Sequence, residues 1–482
     1  MIGLKLTCMK FLLAGVLSFI VFPLVAADRY SVATGNWNST STWSATHGGA
    51  SGASIPTSSD IVYIDNGYTV TVDAASACQS IQIGGTTSGY GNGTIVFGGS
   101  FTLTVSGIVT IGNSAAGTTG SINMSSGTLA CTGFTVNNGG TWTYGTGTIQ
   151  LTANNTLPTS WLTTFYRLTV SAGTTTNNGN ITVNNALSGA GGLTQAANAT
   201  LNLGGTSGIT TLTATASGNT VNYSGAAQTV HANNYYNLIL SGSAAKTLQA
   251  GTTTIGGNLT LNGTATVTTV AGLTISGNLA IGDGTTFTAA GFALTVSGTA
   301  TIGAGTSGLL SISSATAAKT FTGLVTVAPG ATWNNSGNSP VTIRGGITNN
   351  GTFTAGSGIY TFDTNAQALT GTLSIPSITV TTITLTNNNT LTVGTALSGT
   401  GGLTQAVNAT LNLGGTSGIT TLTATASGNT VNFTGASQSV NAASYYNLTI
   451  SGSSASAAGN IVVAGTLALT SGVLSIGPNT LS

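Results

Sequence analysis

Apolar residues alternate with Thr, Ser and Asn in short runs throughout the chain, as in Leu259-Thr260-Leu261, Leu273-Thr274-Ile275 and Leu294-Thr295-Val296. A period of two sends one side of each run into a core and leaves the other in water, so each run predicts a half-buried strand. Early strands are expected at Val62/Ile64, Val70/Val72, Ile81/Ile83, Ile95/Phe97 and Leu103/Val105, with Asp65-Asn66-Gly67 as a turn between the first two. Helix is disfavoured, because Gly and Thr are weak helix formers and Glu, a common surface residue of helices, is absent.

The strands recur at a short interval. Gly257-Asn258-Leu259, Gly277-Asn278-Leu279, Gly298-Thr299-Ala300 and Gly323-Leu324-Val325 open the same turn-plus-strand phrase, each copy following the last at a short and slightly uneven spacing. A second phrase, Leu-Thr-Val/Ile-Ser-Gly, begins at Leu103, Leu273 and Leu294. Strands repeating at this period without a helical pattern predict an all-β solenoid, a right-handed parallel β-helix with rungs of about 20 residues. Each rung has room for two or three short strands, stacked at about 4.8 Å on those above and below. A row of β-sandwiches is the alternative. Asn-rich triplets such as Asn137-Asn138-Gly139, Asn177-Asn178-Gly179 and Asn349-Asn350-Gly351 suit left-handed corners between strands.

A longer repeat overlies the short one. Asn198 to Asn222 recurs letter for letter as Asn408 to Asn432, and the likeness extends over 181–242 and 391–452. Ten rungs of roughly 21 residues each fill the interval between the copies, which would bring both to the same side of the rod. The last phrase breaks off at Thr480-Leu481-Ser482, where another strand is expected, so the repeat reads as incomplete at its carboxy end.

Residues 1–27 stand apart from the repeats. Lys5 and Lys10 precede the apolar run Phe11 to Val25, and Val25-Ala26-Ala27 offers small residues for cleavage, the pattern of a secretory signal peptide. The run is short of the roughly 20 residues that cross a bilayer. A mature chain starting near Asp28, with no membrane span, is therefore expected to be secreted or held on a bacterial cell surface.

Residues 28–111 have their own character, with Gly35-Asn36-Trp37, Thr42-Trp43, Pro56, Asp60-Ile61-Val62-Tyr63-Ile64, Gly67 and Thr69-Val70-Thr71-Val72-Asp73 in order. This segment resembles the G8-like modules at the start of many bacterial surface proteins, which implies an all-β extracellular module. Residues 112–482 are then the solenoid repeats.

Composition narrows the function. With 40% hydrophobic residues the chain has the apolar side chains to build a core, and only 3% are charged. Without the leader, five basic residues face six Asp, a net charge of −1, which disfavours nucleic acid as a partner. Cys78 and Cys131 are read as small core residues, with pairing left open.

Candidate chemistry is sparse. Hydrolysis by paired carboxylates needs two acids within about 5 to 10 Å, and Asp60, Asp65 and Asp73 are near enough in sequence to be considered, though capping of turns is the preferred reading of them. Arg167, Lys246, Lys319 and Arg344 are scattered, and His47 and His231 lack metal-ligand spacing, so no metal or cofactor is implied. Flat rings bind sugars, which makes Trp37 and Trp43 candidates. Tyr236 and Tyr446 join them, because one ring of each pair Tyr235-Tyr236 and Tyr445-Tyr446 must face outward. Packing of those rings between rungs is the competing reading. Thr-x-Thr runs such as Thr211 to Thr215 have the pattern of ice-binding solenoids, a use that requires threonines in register over adjacent rungs. The expected function is a structural or adhesin-like stalk, with surface glycans or other cell-surface proteins as partners. A carbohydrate-binding or carbohydrate-active β-helix is the alternative, and ice binding the third.

Overall fold

The computed structural model describes residues 26–482, so nearly all of the expected leader lies outside the described residues. Apart from a 3₁₀ turn at Thr40–Thr42, the regular elements are strands. Almost every pairing is parallel, between a strand and the one a single turn later, which makes the chain a β-solenoid of about 21 turns. At about 4.8 Å per rung the rod is about 100 Å long.

Three ladders run along it. One passes through Ile181, Leu201, Val221, Leu238, Leu259, Leu279, Ala300, Val325, Ile347 and Leu369, its steps uneven, shortest from Val221 to Leu238 and longest from Ala300 to Val325. The second pairs Ser243–Thr247, Thr264–Thr268, Thr286–Ala289, Leu309–Ile312, Thr332–Asn334 and Thr352–Thr354. The third passes through Leu273, Leu294, Lys319, Val341, Tyr360, Ile378 and Leu397. The residues aligned by the repeated Gly-Asn-Leu phrase are thus those that pair in space.

The same arrangement reaches back to the first rungs. Val62, Ile81, Val109 and Phe134 form one ladder, and Val70, Ile95, Ile122 and Trp142 another, so pairing continues across residue 111. The beginning differs in one respect. Asp28–Ser31 pairs in parallel with Ile61–Ile64 on one side but antiparallel with Trp43–Ser44 on the other. The intervening loop folds back over the first sheet edge, and Trp37 and Trp43 pack edge to face, 5.2 Å apart, in the core at that end.

Inward positions fill the rod with Leu, Ile and Val, each fully buried side chain contributing about 1.5 to 3 kcal/mol. Where the third ladder turns into the first, the corner glycines stack backbone on backbone. The N–H of Gly277 donates to Gly257 O at 2.8 Å and that of Gly298 to Gly277 O at 2.9 Å. A Cβ on Gly298 would lie 2.6 Å from the carbonyl carbon and oxygen of Gly277. This close approach explains why the phrase opens with Gly. Beside it Asn237, Asn258 and Asn278 form a ladder, each Oδ1 accepting from the backbone N–H of the next rung at 2.8–2.9 Å.

The Asn-rich triplets behave differently from the expectation of left-handed corners. None of Asn137, Asn138, Asn177, Asn178, Asn349 and Asn350 has a positive φ. Asn177 instead points inward and is buried, its amide donating to Gln195 Oε1 at 2.7 Å and its Oδ1 accepting from Gly179 N. Asn349 and Asn387 do the same with Gly351 N and Asn389 N. An Asx turn from inside replaces backbone strain as the means of bending the chain. Gln228, Gln367 and Gln438 are likewise buried staples, each accepting one backbone N–H and donating to two carbonyls.

The long repeat does not bring its copies to one side. Following the first ladder from Ile181, ten turns lead to the strand of Leu385 and Asn387, whereas Leu391, the copy of Ile181, pairs with Leu373 and Leu411 in a separate ladder. Similarly, Asn177 pairs across from Gln195 in one ladder, while their copies Asn387 and Gln405 lie in the ladder of Ile181. The rungs between are slightly too short for ten of them to fill the interval, so the copies sit on neighbouring faces.

Candidate functional site

Titratable and aromatic side chains gather beside the amino-terminal rungs. Tyr30 and Tyr63 occupy outward, in-register positions of adjacent strands, and their rings stack at 4.7 Å and 10°. His47, on the loop that folds back over the first rung, stacks on Tyr90 at 3.5 Å and meets Tyr30 edge-on at 5.7 Å. Its Nε2 lies 3.2 Å from Asp65 Oδ2 and 3.4 Å from Asn66 Nδ2. The Tyr30 hydroxyl donates to Asp28 Oδ2 at 3.2 Å.

This setting shifts the acids. Burial pushes the Asp65 carboxyl upward, against the opposing pull of His47; its side chain is 3% exposed and Oδ1 has no partner. Burial, then the Asp28 charge, raises the Tyr30 phenol to about 12 and raises Tyr63 in the same direction. Half-buried rings and an imidazole on one surface, with the buried Asp65 behind His47, suit the apolar face and hydroxyls of a sugar.

The three candidate acids do not assemble into a pair. Asp60 and Asp65 stand at opposite ends of Ile61–Ile64, about 16 Å apart along an extended strand, well beyond the spacing of a hydrolytic pair. Asp60 accepts from Thr57 N at 2.7 Å, Thr57 Oγ1 at 2.9 Å and Ala27 N at 3.1 Å, with Arg29 4.0 Å away. Burial pushes its carboxyl up, but these donors outweigh that and hold it low. Asp73 accepts from Asn38 N at 3.1 Å. Capping of turns describes Asp60 and Asp73, and Asp65 belongs to the histidine pair.

Trp37 and Trp43 are buried, and Trp43 Nε1 donates to Trp37 O at 2.7 Å, so neither offers a ring face to a sugar. Of the tyrosine pairs, Tyr235 and Tyr445 point inward, their hydroxyls donating to His231 O and Asn441 O, while Tyr236 and Tyr446 face outward and are half-buried. The outward rings lie against the next rung, where a Cβ on Gly257 would meet Tyr236 and one on Gly465 would meet Tyr446. They also belong to different ladders about ten rungs apart, so they form no common platform.

Elsewhere charges are held locally. Arg344 makes a two-point pair with Asp363 at 2.8 and 3.2 Å, and Asp283 accepts from the N–H groups of Ala304, Thr306 and Ser307. Lys246 and Lys319 are buried, their ammonium groups bonded to carbonyls. Cys78 and Cys131 are buried free thiols, and burial raises both, Cys131 to about 12. A groove of about 450 Å³ lined by Thr395, Ser398, Gly415, Ser417 and Gln438 contains no ionisable group. Among the described residues, no cluster of three or more His, Cys or Asp suits a metal, and no helix is long and apolar enough to cross a membrane.

Tyr30, Tyr90 and the role of His47 escaped the sequence reading. The signal was present in the outward tyrosines of Asp28–Ser31 and Ile61–Ile64, but the folded-back loop makes the first rung much longer than those that follow, which hides their alignment.

No family, no curated protein and no solved structure matches the chain significantly. The G8-like resemblance therefore rests on its Trp, Pro, Asp and Gly residues alone. Fold and surface together define a charge-poor parallel β-solenoid with a polar and aromatic patch at its amino-terminal rungs.

Proposed function

We propose that the chain is an exported stalk, secreted or displayed on a bacterial cell surface, that acts in the manner of an adhesin. The observation that carries this reading is the unbroken stacking of about 21 rungs around a continuous apolar core, with almost every charge used locally. A rod of this kind spans distance, and any affinity it has comes from many weak contacts. Its address is tested by fractionation and by antibody labelling of intact cells. Recovery of the chain solely from the cytoplasm, with the segment 1–27 intact, would contradict export.

A second reading is favoured by the amino-terminal patch. Stacked Tyr30 and Tyr63 with His47 beside them, held by the buried Asp65, form a surface for a glycan. Glycan-array binding by the folded chain, lost in Tyr63→Ala and kept in Tyr446→Ala, is the expected result. Equal binding by both variants would remove the patch from consideration.

A further inference from the structure

The two copied blocks begin on rungs that are supported from below in different ways. In the second block the rung at 386–393 lies on an unbroken strand, Gln367–Ser374. Ala368 pairs with Thr386 and Ser374 with Thr392, so the two segments keep step. In the first block the corresponding rung is 176–183, and the chain below it falls out of step. Thr156 pairs with Thr176 and Thr164 with Thr182, which leaves two residues too many on the lower rung.

The excess is taken up as a bulge at 157–163. Pro158 has no N–H to give a ladder, and Trp161 has a φ of 69°, a left-handed conformation that a bulky residue adopts only where its surroundings impose it. Those surroundings are the rung beneath, where the Trp161 ring lies against Gly139 and its Nε1 donates to Gly140 O at 2.6 Å. The bulge is thereby pinned downward, and a groove of about 530 Å³ opens between it and the rung above.

Part of a strand edge faces that groove. Thr182 N bonds to Thr163 O below and Thr200 N to Gly179 O above, so residues 178–182 point alternately down and up, and Asn178 and Asn180 turn their N–H and C=O groups to the lower side. Among the described residues no hydrogen bond is made by Asn178, and Asn180 has no partner in the ladder below. In the copy the same edge is filled. Asn388 N donates to Leu369 O at 2.9 Å, the Asn388 amide donates to Thr370 Oγ1 at 3.1 Å, and Thr390 pairs with Thr372. Thr159, Thr163, Thr182 and Asn198 help to wall the groove, which has no ionisable or aromatic side chain in its lining.

We propose that this groove takes a short extended segment of another polypeptide, which adds to the open edge as a parallel strand. The chain itself displays such an occupant, since Thr370-Gly371-Thr372 fills the equivalent place in the second block. The partner segment is therefore uncharged and built of small residues, and its main-chain groups meet those of Asn178 and Asn180. A glycan fits less well, because a strand edge repeats donor and acceptor at the spacing of a peptide and the walls offer no ring for a sugar to stack on.

The test is saturation-transfer NMR on the full folded chain with the acetylated and amidated peptide Leu-Thr-Gly-Thr-Leu-Ser, the sequence of 369–374. Transfer to the peptide is expected from the wild type and from Tyr63→Ala, and is expected to vanish when the peptide is N-methylated at its central amides. Deletion of Ser160 and Trp161, which restores the length of the copy, closes the groove, and Gly179→Trp fills it from the rung above; both are expected to lose the transfer while keeping the wild-type circular dichroism spectrum. Should the deletion fail to fold, G179W alone decides. Because Y63A leaves this groove intact, loss of glycan binding at the tyrosine patch and loss of peptide binding here are read separately. No transfer from the wild type, undiminished transfer from G179W, or a neutral oligosaccharide bound in the peptide's stead and displaced by G179W would overturn the proposal.

Discussion

Replacing Gly298 by Ala adds one methyl group at a confined corner of the rod. Its Cβ would lie 2.6 Å from the Gly277 carbonyl carbon and oxygen and would also press on Asn278 Oδ1. The backbone cannot recede, because Gly298 N donates to Gly277 O at 2.9 Å and Gly323 N donates to Gly298 O at 3.2 Å. Overpacking of this kind costs about 1–3 kcal/mol, and the stiffer unfolded chain returns about 0.4–1 kcal/mol. Gly208→Ala is the matched control, since nothing lies within 4 Å of its added Cβ and its φ is outside the left-handed region. That change should be neutral or slightly stabilising.

A solenoid responds locally, so the loss should appear in the rungs that contact residue 298 before it affects the whole rod. Hydrogen exchange read by mass spectrometry resolves this. A net loss of about 1.4 kcal/mol accelerates exchange about tenfold in peptides covering residues 277–325, with distant peptides unchanged. If G298A exchanged like the wild type, or no faster than G208A, close backbone stacking would not be what requires glycine there.

Two further predictions concern buried and bound charge. Burial lowers the Lys246 ammonium to about 8 from an ordinary 10.5, so between those values the folded chain holds fewer protons than the unfolded one and stability rises with pH. K246M abolishes that rise in urea titrations across this window. Asp283 is held at about 2 by hydrogen bonds from Ala304 and Ser307, so the support it gives the loop at 303–308 is complete above its unfolded value of 3.8 and is lost as pH falls toward 2. Protection of that loop, taken as exchange relative to the intrinsic rate of each amide at the same pH, should therefore fall in acid for the wild type, whereas D283N should show low protection at every pH.

The rungs were legible because one residue pattern fixes both strand and period. Leu273-Thr274-Ile275 announces its inward and outward sides, and its recurrence at Leu294 announces its neighbour. Phase was not legible. Rung length along the Ile181 ladder is uneven, shorter from Val221 to Leu238 than from Ala300 to Val325, and a small deficit accumulated over ten rungs carries Leu391 onto another face. The corners were misjudged because Asn has two ways of making a bend. Sequence alone does not distinguish a left-handed Asn from one like Asn177, whose amide reaches into the core. The polar and aromatic patch was hidden for a related reason, since Tyr30 and Tyr63 meet only through a first rung that breaks the period.

The displaced copies also bear on how such a rod can lengthen. With three strands to a turn, a block of sequence need only end at a corner to be accommodated, so growth proceeds in thirds of a turn. Copying a block whose length is not a whole number of turns advances everything beyond it and rotates it by one face, like a nut driven along a thread. Selection for a contact repeated on one side would reject such an event, whereas selection for reach would accept it. The duplicated block thus adds length to the rod without repeating one contact along one side of it.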